Sequence, residues 1–208
     1  MAALALIDTD FAFPADQLKF DEELLTAGTA AIRFWETDQE CVVLGNSGRC
    51  ERDVNMLACQ EASIPVLRRS SGGGAVLLGP GCLNYTLVLP LSWNAAWRDV
   101  QGSLRWVMNR MRNAIALDDL RVEGHCDLAF DGRKVSGNAQ RRTNSTILHH
   151  GTLLYNFDAA RAEMFLRPPH RQPAWRATRS HRDFMGNLPL SVAEIRQRLK
   201  DDWCGSQD

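Results

Sequence analysis

Residues 121–157 read RVEGHCDLAFDGRKVSGNAQRRTNSTILHHGTLLYNF. Asp131-Gly132 accepts the positive φ angles of a tight turn, so the first part folds back as a hairpin. The run TILHHGTLLYNF at 146–157 then reads as a strand. A hairpin followed by another strand, with no helix between them, does not fit the βαβ alternation of a parallel sheet. Moving upstream, 95–118 has a helical apolar stripe formed by Trp97, Val100, Leu104, Val107, Met108, Met111 and Ile115, which predicts a core-facing helix. LNYTLVLPL at 83–91, CVVLG at 41–45 and AIRFWET at 31–37 read as strands, and RDVNMLACQEAS at 52–63 as a helix. A helix from Pro14 to about Ala30 has a proline at its start and Gly28 near its end. Downstream, AARAEMFL at 159–166 and SVAEIRQRL at 191–199 read as helices, with a Pro- and Arg-rich loop over 167–182. Mixed hairpins and helices, with no repeat or linker, predict a single α+β domain over 1–208.

Composition narrows the function. The chain has 45% apolar and 24% charged residues, as a soluble globular protein does. A net charge of −1 argues against nucleic acid or a polybasic membrane contact, and no apolar run is long enough to span a bilayer. MAALALIDTDFAF lacks the basic start of a signal peptide, so a cytoplasmic location with reduced thiols is expected. Cys41, Cys50, Cys59, Cys82, Cys126 and Cys204 include no CxxC and no zinc spacing, so no metal site is expected. The charge is uneven: 121–182 holds eleven Arg or Lys against five Asp or Glu, together with all five histidines. That excess suits either a solvated face or a surface that receives anions or an acidic partner.

Three segments could carry chemistry. In Arg68-Arg69-Ser70-Ser71-Gly72-Gly73-Gly74-Ala75-Val76, consecutive glycines let the backbone approach a ligand, and arginine forks suit phosphate or carboxylate. In Gly132-Arg133-Lys134-Val135-Ser136-Gly137-Asn138-Ala139-Gln140, Lys134 stands alone mid-chain among three lysines and 21 arginines. A compact ammonium there suits a point charge against an acyl-phosphate. In Leu148-His149-His150-Gly151-Thr152, adjacent strand histidines face opposite ways, which leaves one to be buried and the other to face a site.

Taken in order, RRSSGGGAV, DLAFDGRKVSGNAQ and LHHGTLL resemble the lipoate–protein ligase A family, within the wider group of biotin and lipoate ligases and octanoyltransferases. LKFDEELL and SHRDFMGNL extend the resemblance over about Phe20 to Leu188. It implies a central mixed, largely antiparallel sheet flanked by helices. It also implies ATP- and Mg²⁺-dependent activation of lipoate to lipoyl-adenylate, then transfer to one lysine of a lipoyl carrier domain. The acceptors would be apo lipoyl domains of 2-oxoacid dehydrogenase subunits or the glycine-cleavage H protein. By position, Lys134 is the catalytic lysine and Asp127 the acidic residue just upstream of it. Arg69, Ser71 and Gly72, Gly73 and Gly74 would line the lipoyl and adenylate pocket. Ser136, Gly137 and Ala139 would shape the adenylate cradle, and His150, Gly151 and Thr152 would border the nucleotide.

The sequence departs from that family in three places. Leu77-Leu78-Gly79 follows GGGAV where an aromatic and a histidine are usual, and Cys126 precedes Asp127 where asparagine is common. The chain ends at Asp208 with no accessory domain, which leaves three expectations: a separate accessory chain, transfer of preformed lipoyl-adenylate, or independence from that domain. Rival readings are an octanoyl or lipoyl transferase using Cys126 as a thiolate, and a non-catalytic lipoate-binding subunit. Cys126 reads better as a small core residue, and the GRGRxxR loop of biotin ligases is absent. A docking role in receiving acidic lipoyl domains falls to Arg171, Arg176 and Arg179.

Overall fold

A computed structural model describes residues 3–170 and 172–205. The hairpin foreseen at Asp131-Gly132 joins β8 (Asp127–Phe130) to β9 (Arg133–Arg142), with φ of 48° and 67° at its two turn residues. β9 continues antiparallel into β10 (Thr146–Leu154), and β10 pairs along its length with β6 (Cys82–Pro90). β2 (Ala31–Trp35) pairs antiparallel on the far side of β6, with β1 (Ala5–Ile7) parallel to it at the edge. β7 (Arg121–Glu123) closes the other edge, giving the order β1-β2-β6-β10-β9-β8-β7. A smaller sheet of order β4-β3-β5 is made of β3 (Cys41–Leu44), β4 (Val66–Arg68) and β5 (Val76–Leu78). Mixed, largely antiparallel strands with helices on their faces make this an α+β fold, as expected.

α1 (Pro14–Ala27) stops at Gly28, whose φ of 68° lets its N–H donate to the Leu24 carbonyl. α4 (Val100–Ile115) starts at Val100 rather than 95, because the Asp99 carboxylate caps the N–H groups of Gln101 and Gly102. Trp97 is buried in a preceding 3₁₀ turn, and Val100 is exposed. Leu104 is buried, and Val107, Met108, Met111 and Ile115 pack the predicted stripe into the core on one face of the large sheet, joined by α7 (Val192–Cys204). Each such side chain contributes about 1.5–3 kcal/mol.

The helix foreseen over 52–63 is two, α2 (Cys50–Asp53) and α3 (Met56–Glu61). Val54 breaks it by forming a bridge to Leu166, and Asn55 then caps α3 through the Ala58 N–H. α5 (Ala159–Phe165) matches its expected place, and the following loop carries a one-turn α6 (His181–Phe184). No helix among the described residues is long and apolar enough to cross a membrane.

Candidate active site

Strand register builds the site. Trp35, Asn84, Thr152 and Gly137 are cross-strand partners in a row over β2, β6, β10 and β9. Two residues along, Arg33, Thr86, His150 and Ala139 form a parallel row on the same face. α1 and the smaller sheet cover this face. Between them lies a narrow cavity of about 60 Å³, with Leu18, Trp35, Val43, Val76 and Leu78 as its apolar wall. Its polar wall includes Arg69, Asn84, His150 and Thr152, with Gly137, Ala139 and Gly151. Six expected residues from three separate segments therefore meet on one cavity.

Arg69 leaves β4 with its N–H on the Leu44 carbonyl. Its guanidinium donates to the carbonyls of Val43 (3.2 Å), Gly72 (2.8 Å) and Gly74 (2.9 Å) and to Ser71 Oγ (3.1 Å). The arginine thus shapes the glycine turn from inside, and Gly73, at φ 96°, supplies the conformation that wraps it. Among the described residues no carboxylate is ion-paired to Arg69. Burial lowers its pKa to about 10, so it remains a cation at neutral pH. Four of its five N–H donors are thus committed to the protein, and the guanidinium brings a positive charge to the cavity wall with no paired carboxylate among the described residues.

Ser71 is fully buried and its Oγ lies 2.5 Å from His150 Nε2. His150 Nδ1 is 3.7 Å from Asp21, which accepts from Thr86 (2.7 Å) and pairs with the fully buried Arg33 (3.0 Å). A continuous polar chain therefore runs from Arg33 through Asp21, His150 and Ser71 to Arg69. Arg33 also donates to Gln17 Oε1 and lies over the Phe20 ring. Sequence reading missed Asp21 and Arg33, although a charge inside the apolar strand AIRFW demands a buried partner. The other histidine is buried: His149 Nδ1 accepts from Gln140 Nε2 at 3.1 Å, its Nε2 lies 3.2 Å from Tyr85 Oη, and burial pushes its pKa down to about 3.

Lys134 Nζ lies 2.7 Å from Asp127 Oδ1. It is also 3.2 Å from where a Cβ on Gly137 would stand, so the ammonium rests over a residue of the cavity wall. Ser136 is fully buried and accepts from Nδ2 of Asn138, itself a residue of the cavity wall, at 3.0 Å. The Cys126 thiol donates to the Asn138 carbonyl at 3.1 Å. Burial, with Asp127 adding, raises its pKa to about 11.

The loop arginines differ from the docking expectation. Arg176 is 5% exposed and packs on Phe184, and Arg179 donates to the carbonyls of Gly132, Trp175 and Arg176. Arg179 ties the loop to the β8–β9 turn at Gly132, Arg176 holds the loop within itself, and Arg171 lies outside the described residues. Among the described residues no group of three or more His, Cys, Asp or Glu stands close enough to hold a metal.

Residues 13–202 match the family model of the lipoyl protein ligase A/B catalytic domain. Among solved structures, the chain is similar to the bipartite lipoate protein ligase of an archaeal lipoylation system from Thermoplasma acidophilum. That match has a TM-score of 0.82 at 20% identity, covering 97% of this chain and 82% of that one. A T. acidophilum lipoate protein ligase with bound lipoic acid aligns at TM-score 0.77 and 19% identity, over 97% and 84% of the two chains. A lipoate-protein ligase A bound with ATP aligns at 0.77 and 20%, over 97% and 83%. At these identities the likeness to solved structures is one of fold.

Proposed function

The chain belongs to the lipoyl protein ligase A/B catalytic domain family, and from that premise we propose that it is a lipoate–protein ligase. In the first step a lipoate carboxylate oxygen attacks the α-phosphorus of ATP and pyrophosphate leaves. In the second, the amine of an acceptor lysine attacks the lipoyl carbonyl and AMP leaves. The observation that carries the reading is the meeting of Arg69, Gly137, Ala139, His150, Gly151 and Thr152 on one cavity, with the Lys134 ammonium over Gly137.

The residue chemistry supports both steps. Lys134, held by Asp127, offers a compact positive charge to the carboxylate and α-phosphate, where negative charge grows. Arg69, which lacks an acidic partner among the described residues, receives the anionic end of the acid or its adenylate, and the apolar wall takes the acyl chain. Mg²⁺ arriving with the triphosphate would offset charge on the leaving pyrophosphate. Asp127 is the carboxylate that could tie it, and a metal carried mainly by phosphates needs no protein cluster. Cys126, a neutral thiol at physiological pH, is unsuited to carry the acyl group, which disfavours a thioester-forming transferase. The acceptors we propose are apo lipoyl domains of 2-oxoacid dehydrogenases or the glycine-cleavage H protein. Six free thiols suit a reducing compartment such as the cytoplasm.

The test is intact-mass analysis of an apo lipoyl domain incubated with this protein, lipoate, ATP and Mg²⁺, beside a tube given synthetic lipoyl-adenylate instead. Lipoylation in both tubes is the expected result for a self-sufficient ligase. Lipoylation from the adenylate alone would mean that activation draws on a second chain, as the bipartite T. acidophilum ligase suggests. Acceptor left unmodified in both tubes overturns the reading.

A further inference from the structure

Five buried side-chain N–H groups have no hydrogen-bond partner among the described residues. Three belong to Trp97, Trp175 and Trp203, which sit in clusters of aromatic rings. The other two, Trp35 Nε1 and Asn84 Nδ2, belong to residues that line the cavity and are cross-strand partners. Both residues are 3% exposed. Thr152 Oγ1 donates to Asn84 Oδ1 at 2.8 Å, which fixes the amide and commits its oxygen. The amide nitrogen is then left as an unpartnered donor on a residue of the cavity wall.

A buried donor without a partner is costly, and a site that carries one rejects ligands unable to accept from it. We propose that Asn84, aided by Trp35, is a specificity-determining residue that favours an acyl chain bearing acceptor atoms over a plain alkyl chain. In the lipoate reading, on which this inference rests, the acceptors are the two ring sulfurs, which accept weakly and are absent from octanoate. Leucine in place of Asn84 keeps the branched outline of the side chain, though it is bulkier, and removes the donor, so it should erase the preference for a ligand that accepts from it.

Titration calorimetry without ATP or acceptor protein tests this. The wild-type protein would be titrated with lipoate, octanoate and 5-cyclopentylpentanoate, which replaces both ring sulfurs of lipoate by methylenes. The methylene ring is the more apolar, so hydrophobic transfer alone would favour it. Lipoate should nonetheless bind roughly threefold to tenfold more tightly than the cyclopentyl acid, the worth of a single modest hydrogen bond. In Asn84→Leu that ratio should fall to near one. Equal affinities in the wild type overturn the inference whether or not the variant folds, as does a preference that survives in Asn84→Leu. Ligase activity with equal affinities would sink this inference alone. A retained preference without lipoylation of the acceptor would sink the ligase reading alone, and binding of none of the three acids would sink both.

Discussion

Lys134 on β9 reaches back across the hairpin to Asp127 on β8, and their 2.7 Å contact sets where the ammonium rests. A β-bulge between Leu128 and Ala129 shifts the register of the two strands between these residues. The ligase reading makes this cation the largest electrostatic contributor. Lys134→Ala should lower both adenylate formation and acyl transfer by about 10²–10³, the scale of losing an oxyanion donor. Lipoate affinity should fall far less than either rate. Near-wild-type rates in pyrophosphate release and in transfer from synthetic adenylate would overturn the assignment.

Two glycines nearby should respond differently to the same change. A Cβ on Gly137 would meet only Lys134 Cε at 3.1 Å and Nζ at 3.2 Å, the far end of a flexible side chain. Gly137→Ala should therefore fold normally and lose rate by displacing the ammonium. On Gly151 the Cβ would fall 1.8 Å from Asn138 Oδ1 and 3.0 Å from the Gly137 carbonyl. Gly151→Ala should cost about 1–3 kcal/mol of stability, since Asn138 is pinned by Tyr85 and Cys126. Thermal melts beside kcat would separate the two, and equal melting temperatures would sink the contrast.

His149 predicts a pH dependence of stability. Its pKa falls from 6.5 unfolded to about 3 folded because burial disfavours the imidazolium. Between those values the unfolded chain binds a proton that the folded one does not. Stability is therefore fully present above the unfolded value and is lost as pH falls, with a slope approaching about 1.4 kcal/mol per pH unit. Denaturant titrations from pH 7 to 4 on wild type and His149→Gln check this, and an unchanged slope in the variant would count against it.

Cys126 should behave as an inert thiol. With its pKa raised to about 11, the thiolate is scarce at neutral pH and accumulates only as pH nears that value. Iodoacetamide should label it slowly at pH 7.5 and faster as pH rises toward 10. Cys126→Ala should retain acyl transfer within a few-fold. Recovery of a thioester on Cys126 by mass spectrometry would revive the transferase alternative.

Legibility in the sequence followed how local each signal was. The stop at Gly28 and the turn at Asp131-Gly132 need only backbone conformations within a few residues, and both were readable. The split at Val54 depends on a bridge to Leu166, more than a hundred residues away, so the helical pattern of 52–63 could not reveal it. β1 is three residues long, and its pairing with β2 leaves no periodic trace. At the site, the three motifs named most of one cavity wall, because each lies near the strand or turn that presents it. Asp21, Arg33 and Asn84 went unread because their importance appears only when neighbouring strands and α1 are laid side by side. Arg176 and Arg179 looked like surface charge, and only tertiary contacts turn them inward.

The cavity draws its walls from two sheets with separate hydrogen-bond ladders. Val43, Val76 and Leu78 stand on the smaller one, while Lys134, Asp127 and Gly137 stand on the larger. The apolar side of the cavity therefore rests largely on one scaffold, whereas the reactive charge and the unpartnered donors of Trp35 and Asn84 share the other, so a change in the width of the cavity need not move the ammonium.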